Sequence, residues 1–571
     1  MSKFKTDISR RDFLKNAGTA GIAVGAASVF GTAVAGESKH LEDKSVYEKA
    51  FGDDVQQIYV KKGKSQGPKG PIGFEDRKIA KNEITKEYNC DIAVVGGGMS
   101  GLIAALKGAE DGAKVVLIEK MTEGRGAFEC FGAVDSRTQR EAGIKTDKAV
   151  LLGEMHRSAN YRIGPDVVRT YVEKSGEASD FMEQMFEKAG TGVVIAPMPL
   201  RPKYPNTGAP VIDAECMFYN TPGLPKDVRF RSGHVGLYII QDLTKIAKKH
   251  PNITAKYSTP AAQLVIDSSG RVTGVIAKED GKYVKINAKK GVILATGGYD
   301  ANPEMMKAYL RPEDYSSASW WNPCWGTTGD GHMMGLKVGA AMDPVPHAVM
   351  NFTFGSPESF HIPAVRTLRA MGLYAMVNDD GERFVREDTA FQFISNATNR
   401  QASFGKQSWL LFDDTMISKN KETFDKAIAA FKVLKEKGWL FEANSPSELE
   451  KLMKMPKGNL VNTVKKFNAF KKDGKDQDFN RDMEFAKAFD GNKIYALVCN
   501  SVILATVSGL IIDEHGRVLN TKGEVIKGLY AAGNASGDFF SGNYPRHIPG
   551  TSMGRAITFG YLSAKHAITG V

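Results

Sequence analysis

With 571 residues the chain exceeds one minimal core and points to two domains or one large composite. Hydrophobic residues at 42% exclude a disordered chain, and a net charge of +11 on Lys-rich stretches without interleaved aromatics argues against a nucleic-acid site. The five cysteines, Cys90, Cys130, Cys216, Cys324 and Cys499, are too widely spaced for a disulfide framework, a C-x-x-C metal site or an attached c-type haem, and read as scattered buried thiols.

At the N-terminus, Ser9-Arg10-Arg11-Asp12-Phe13-Leu14-Lys15 precedes an Ala/Gly-rich apolar run from Ala17 to Ala35. The run has little of the Leu, Ile or Phe that holds a resident helix in lipid, and it ends in the small-x-small pattern Ala33-Val34-Ala35. Residues 1–35 therefore read as a twin-arginine signal peptide, with a retained basic amphipathic helix as the alternative. That route exports proteins already folded, which suits a chain loaded with a cofactor in the cytoplasm. The Tat translocon is then a partner and the mature protein is periplasmic or otherwise exported. Residues 1–35 contribute +3 of the charge, leaving +8 after cleavage. No later segment is long and apolar enough to span a bilayer.

Residues 36–87 are polar, with Gly-Pro punctuation, and read as a linker or loosely packed arm. From Cys90 the texture changes. Asp91–Val95 is a short apolar strand, an Ala/Leu-rich helix runs to about Gly112, and Ala113–Glu119 is a second strand, which together make a βαβ unit. Between them Gly96-Gly97-Gly98-Met99-Ser100-Gly101 fits G-x-G-x-x-G. The glycines let the backbone turn and approach a pyrophosphate at the helix N-terminus, where free N–H groups and the dipole favour an anion. Glu119 follows Gly101 by 18 residues, at the end of the second strand, where a carboxylate can hold ribose hydroxyls.

Helical patterns occupy about 146–190 and 236–249. A β-meander follows, with turns at Ser269-Gly270 and Asp280-Gly281. Lys-laden helices are expected at 421–437 and 447–470, and the last 70 residues return to strands and one glycine-flanked helix. Three later segments favour FAD over NAD. Ala295-Thr296-Gly297-Gly298 resembles the second glycine signature of two-dinucleotide-fold flavoproteins. Gly528-Leu529-Tyr530-Ala531-Ala532-Gly533-Asn534 resembles their late G-L-Y-A-A-G-E strand, with Asn534 in the Glu position. Gly550-Thr551-Ser552-Met553-Gly554 opens the last helix, whose N–H groups can face the pyrimidine end of the isoalloxazine.

With these signatures in order, the chain from about residue 88 resembles the FAD-binding subunits of the fumarate reductase and flavocytochrome c family, in particular their urocanate-reductase-like relatives. Thr259-Pro260-Ala261, Thr328-Gly329-Asp330-Gly331 and Val377-Asn378-Asp379-Asp380-Gly381-Glu382-Arg383-Phe384 with Glu387 extend the match. The resemblance implies an α/β fold: a Rossmann-like two-dinucleotide-fold FAD domain in two pieces, 88–345 and 501–571, with an inserted α+β capping domain at 346–500. It implies FAD held by Gly96, Gly98, Ser100, Gly101, Glu119, Lys120, Ala127, Ala261, Thr296, Gly297, Gly298, Asp330, Gly533, Asn534, Gly550, Thr551 and Ser552. It also implies hydride transfer from flavin N5 to one carbon of a C=C bond, with an arginine protonating the other. Arg369 stands in the donor's place with Arg366 as the alternative. A guanidinium serves there only as a relay, because its own pKa is very high.

The departures from the family shape the substrate expectation. A carboxylate-binding histidine maps to Ala505, and the substrate arginine's column holds His547 beside Arg546. The second histidine falls near His347 or Asn351. A site missing a dicarboxylate ligand should not prefer fumarate. A larger substrate with one carboxylate or a carbonyl suits Phe539, Phe540 and Tyr544, which equally read as core packing. No histidine lies between Lys120 and Met155, where relatives with covalent flavin carry one, so FAD is expected to be non-covalent. Electrons are expected from a separate cytochrome or FMN protein, in the setting of anaerobic respiration. Two alternatives stand: a ketosteroid-dehydrogenase-like enzyme using Tyr374 or Tyr544, and a non-catalytic electron relay.

Overall fold

The computed structural model describes residues 70–126, 130–197, 215–220, 234–317, 319–320, 326–355, 374–418, 431, 434–484, 486–545, 548 and 550–570. The βαβ unit forms as the pattern requires, from β1 (Ile84–Val95), α1 (Met99–Glu110) and β2 (Val115–Ile118). Ile92–Val95 and all of β2 are buried, as expected of a parallel sheet covered on both faces. β3 (Ile253–Lys256) pairs parallel with β2. The meander is β4 (Ala261–Ile266), β5 (Val272–Glu279) and β6 (Lys282–Leu294), and β6 returns parallel beside β1. Its second turn has φ 50° at Asp280 and 75° at Gly281, the left-handed pair a two-residue hairpin needs.

After α2 (Asp330–Lys337) the chain leaves this sheet. β7 (Val349–Gly355) leads to the inserted domain, where β8 (Ala375–Asn378), α3 (Phe391–Ser403), β9 (Ser408–Asp413), β10 (Leu440–Ala443), α4 (Pro446–Leu452), α5 (Asn459–Asp473) and β11 (Ile494–Val498) follow. Its sheet is antiparallel in the order β8-β9-β11-β10. The helical pattern at 447–470 is split between α4 and α5, because Gly458 sits at φ 93° and Pro456 cannot continue a helix. Most of 421–437 lies outside the described residues. β12 (Asn500–Thr506) brings the chain back alongside β7, and β13 (Arg517–Leu519) and β14 (Val525–Ala531) complete the eight-stranded sheet, order β13-β14-β6-β1-β2-β3 with β4 and β5 beyond β6. The last helix, α6 (Thr551–Thr569), packs on α1. The architecture is α/β with an inserted α+β cap.

The end of the expected arm is tightly held instead of loose. Gly70 N donates to Ala301 O (3.0 Å), Gly73 N to the Asp330 carboxylate (3.0 Å) and Glu75 N to Ala262 O (3.0 Å). β1 itself begins at Ile84, ahead of the expected boundary at 88. Cys90, Cys130, Cys216 and Cys499 are buried free thiols. Among the described residues no helix is long and apolar enough to cross a membrane, and no cluster of ligating side chains could hold a metal.

Candidate functional site

Four parallel strands end at one level. Val95 pairs with Ile118 and with Leu294, and Leu294 pairs with Ala531. The ladder runs one residue further, with Gly96 N bonded to Ile118 O, Ala295 N to Val95 O and Ala532 N to Leu294 O. Register alone therefore delivers four loops to one edge: Gly96–Gly98, Glu119–Lys120, Thr296–Gly298 and Gly533–Asn534. Ligands of open α/β sheets bind at the carboxyl ends of the strands.

The loops leave no room for side chains. Gly96 has φ 113°, and a Cβ there would lie 2.2 Å from Ala295 O. A Cβ at Gly101 would lie 1.9 Å from Gly96 O. Gly98 caps α1 and Gly550 caps α6, and neither N-cap residue supplies a side-chain cap, so first-turn N–H donors other than Ser552 N remain for a ligand. The start of α1 packs against the middle of α6 and against the Gly533 loop, since a Cβ on Gly560 would meet Ser100 O at 2.4 Å and one on Gly533 would meet Ser100 Oγ at 2.7 Å. Glu119 accepts from Gly97 N (2.6 Å) and Met121 N (2.8 Å), and burial pushes its carboxyl above the usual range. Thr296 Oγ1 is shielded from solvent with no hydrogen-bond partner among the described residues. Ser552 Oγ donates to Asn534 Oδ1 (3.3 Å), and Thr551 is fully buried. A glycine cradle closed to Cβ atoms, two uncapped helix starts, a carboxylate at the strand end and an orphaned hydroxyl fit a dinucleotide such as FAD.

Lys120 and Asp330 stand differently. Lys120 Nζ donates to the Asp330 carboxylate (2.9 Å), to Thr328 Oγ1 and to Pro71 O (3.0 Å). Both are already engaged in binding the arm to the sheet edge. Ala261 is buried at the start of β4.

Two expected substrate or catalytic groups are committed elsewhere. His347 is fully buried, with Nδ1 at 2.7 Å from Tyr299 Oη and Nε2 at 2.8 Å from Asp343 O, and its ring stacks on Tyr309. Burial lowers it to about 4. With both nitrogens engaged it has none for substrate, whereas Asn351, also fully buried, has neither side-chain polar atom bonded among the described residues. Tyr374 donates its hydroxyl to Glu387 O (2.8 Å) inside the cap, which is no position for enolising a ketone. Tyr544 stays near the cradle: its hydroxyl accepts from Ser552 N (3.3 Å) at the start of α6 and its ring packs on Phe540. Arg366, Arg369, Arg546, His547 and Ala127 lie outside the described residues, as does the signal segment 1–35.

Three buried ionisable groups escaped sequence reading. Burial lifts Asp300 and Asp343 to about 6. Asp300 accepts from Thr327 Oγ1 (2.8 Å), while Asp343 accepts from Gly509 N (2.9 Å) and Asp538 N (2.8 Å) and so ties two loops together. Arg555 on α6 is completely buried. Its signal was present: a lone arginine four residues from Thr551 and from Phe559, on the buried face of an amphipathic helix.

Residues 91–547 match the family described as FAD binding domain. Vinyl phenol reductase of Lactiplantibacillus plantarum is 26% identical over 85% of this chain and 97% of its own. Fumarate reductase (cytochrome) of Shewanella frigidimarina is 29% identical over 84% of this chain and 76% of its own. In three dimensions the chain is similar to 3-ketosteroid-Δ4-(5α)-dehydrogenase from Rhodococcus jostii RHA1, with TM-score 0.67 and 22% identity over 88% of this chain and 99% of that one, a likeness of fold.

Proposed function

This chain belongs to the FAD binding domain family, among the fumarate-reductase-like flavoproteins, and from that premise we propose that it is an exported FAD-dependent reductase of an activated C=C bond, in an enoate or enone other than fumarate. The observation that carries the substrate reading is Ala505. It pairs with Met350 across β7 and β12, so an apolar pair occupies the column the resemblance gives to a carboxylate-binding histidine. The next residue, Thr506, touches the cradle, because its Oγ1 lies 2.2 Å from where a Gly298 Cβ would be. Losing a buried ionic ligand removes discrimination in favour of a dicarboxylate. One relative is named for a vinyl phenol, a class without any carboxylate, which supports the same direction.

Reduced FAD, when bound, supplies a hydride to one carbon of the C=C bond. The chain's own part is to hold the dinucleotide at the four strand ends, non-covalently, and to exclude water with Phe539, Phe540 and Tyr544, which are buried at 1%, 2% and 3% exposure. Arg369, with Arg366 as alternative, relays the proton to the second carbon. Arg546, His547 and Asn351 orient the polar head of the substrate. Export follows the twin-arginine reading, and a separate cytochrome or FMN protein delivers electrons in a respiratory role.

A second reading has one observation in its favour. Tyr544 Oη accepts Ser552 N–H at a helix start, a setting that suits polarising a substrate carbonyl in a dehydrogenase.

The test is anaerobic. The FAD-loaded protein is reduced chemically and mixed with fumarate, urocanate, cinnamates, vinyl phenols, acrylates and steroid enones while the oxidised flavin band is followed. Rapid return of the band with a non-fumarate alkene is the expected result. If no alkene reoxidises the flavin and a saturated ketone reduces it, the dehydrogenase reading replaces this one. Arg369→Ala is expected to slow reoxidation at least ~100-fold with FAD retained, and Arg366→Ala far less.

A further inference from the structure

The last helix buries a positive charge that no described carboxylate pairs with. Arg555 is 0% exposed. Its Nη1 donates to Val507 O (3.1 Å) and Ser536 O (3.1 Å), and its Nη2 donates to Asn534 Oδ1 (2.8 Å). Nε has no hydrogen-bond partner among the described residues. Every acceptor is neutral: two peptide carbonyls and one amide. The rings of Phe539 and Phe540 lie beside the guanidinium, with centroids 5.4 and 4.8 Å from Cζ, and exclude water.

The other ionisable groups facing it do not cancel the charge. Asp343 interacts with Arg555 electrostatically, but its oxygens are engaged by Gly509 N and Asp538 N. His332 on α2 is fully buried and held neutral, with its pKa lowered to about 4 by burial. Burial lowers Arg555 only to about 10, so it remains charged. An isolated buried cation is expensive, and replacing it with an apolar residue of similar size is often harmless to stability. Its place suggests what it serves. Asn534 Oδ1, which holds Arg555, also holds Ser552 Oγ in the first turn of α6, and Gly533 abuts Ser100 in the first turn of α1. The guanidinium therefore stands behind the Gly533–Asn534 loop, one turn into α6, and its charge adds to the positive end of that helix.

We propose that Arg555 is a potential-setting residue: a fixed cation that favours the electron-rich reduced flavin over the oxidised one, effective because its nearest side-chain partner, Asn534, is a neutral amide. This rests on the assignment of that loop and of the start of α6 to FAD. Arg555 acts through the field at the cofactor and through Asn534.

The measurement is the midpoint potential of protein-bound FAD, by dye equilibration at pH 7, on the full FAD-loaded protein. Arg555→Met removes the charge and should lower the potential, weakening reduced relative to oxidised FAD at least tenfold, about 30 mV for a two-electron couple. Arg555→Lys keeps the charge and should stay near wild type. Asn534→Asp leaves Arg555 in place but sets a carboxylate against Nη2. It should lower the potential in the same sense while raising the apoprotein's thermal midpoint, because the buried cation then has a partner. A purely structural Arg555 would not yield a lowered potential in Arg555→Met that Arg555→Lys restores. Unshifted potentials in Arg555→Met and Asn534→Asp, both carrying full FAD, overturn the proposal. If Arg555→Met does not retain FAD, Arg555→Gln, which also removes the charge, is measured in its place, and an unshifted potential there overturns the proposal. A wild-type protein that binds no FAD would defeat the underlying site assignment instead.

Discussion

The cap and the dinucleotide half handle buried charge in opposite ways. In the cap, Arg383 makes paired bonds to Glu387 (2.9 and 2.7 Å) and to Asp476 (3.1 and 2.8 Å), and Arg481 Nη1 approaches Glu387 at 3.4 Å. Two guanidiniums meet two carboxylates, all at 3% side-chain exposure or less. In the other half, Asp343 and Arg555 are buried with no ion pair between side chains among the described residues, and rely on peptide and amide dipoles. Local neutrality suits a group that only holds a fold together. Uncancelled charge persists where a charged ligand or transition state is to be accommodated.

Breaking the neutral side should have the largest effect. Glu387→Ala leaves two buried guanidiniums with one carboxylate and also strips the acceptor of Met376 N (3.0 Å), so a loss of about 3–5 kcal/mol is expected in urea unfolding of the apoprotein. Next comes the cradle. Gly101→Val drives a side chain into Gly96 O and should weaken FAD retention at least ~100-fold, read from flavin fluorescence released on dilution, with little change in the circular dichroism of the cap.

The charged half should reveal itself through pH. Asp300 is raised to about 6 in the fold, so the folded state holds its proton more tightly than the unfolded chain. That contribution is complete below about pH 4 and is lost as pH rises through about 6. Asp300→Asn removes the ionisation and should raise stability by about 1–3 kcal/mol at pH 8 while changing little at pH 4, opposite to Glu387→Ala, which destabilises at both. His332 and His347, lowered to about 4, work the other way: their contribution is present above about 6.5 and fades as pH falls. The smallest effect is expected for Tyr374→Phe, which loses one bond to Glu387 O, about 1 kcal/mol, and should leave flavin reoxidation unchanged.

Much of this was legible in one dimension. Apolar strand, glycine cluster, Ala-rich helix and a terminal glutamate fix a dinucleotide fold because each glycine answers a local demand, a turn or a backbone approach, that no other residue meets. The meander was readable for the same reason, since Asp280-Gly281 is a local turn signal. The insertion of a cap between the two halves came with the family resemblance those signatures carry, whereas the expectation of one helix over 447–470 passed over the break at Pro456–Gly458. Those properties depend on neighbours in sequence. Which side chains are spent and which are free depends on partners far along the chain. His347 reads as a ligand until Tyr299 and Asp343 take both its nitrogens, and Tyr374 reads as a catalyst until Glu387 takes its hydroxyl. Lys120 and Asp330, 210 residues apart, read as cofactor contacts until they meet each other and the Gly73 backbone. Arg555 is the strongest case: the helix pattern is consistent with an inward position, but only the assembled fold surrounds it with carbonyls, an amide and two rings and gives it no carboxylate partner among the described residues.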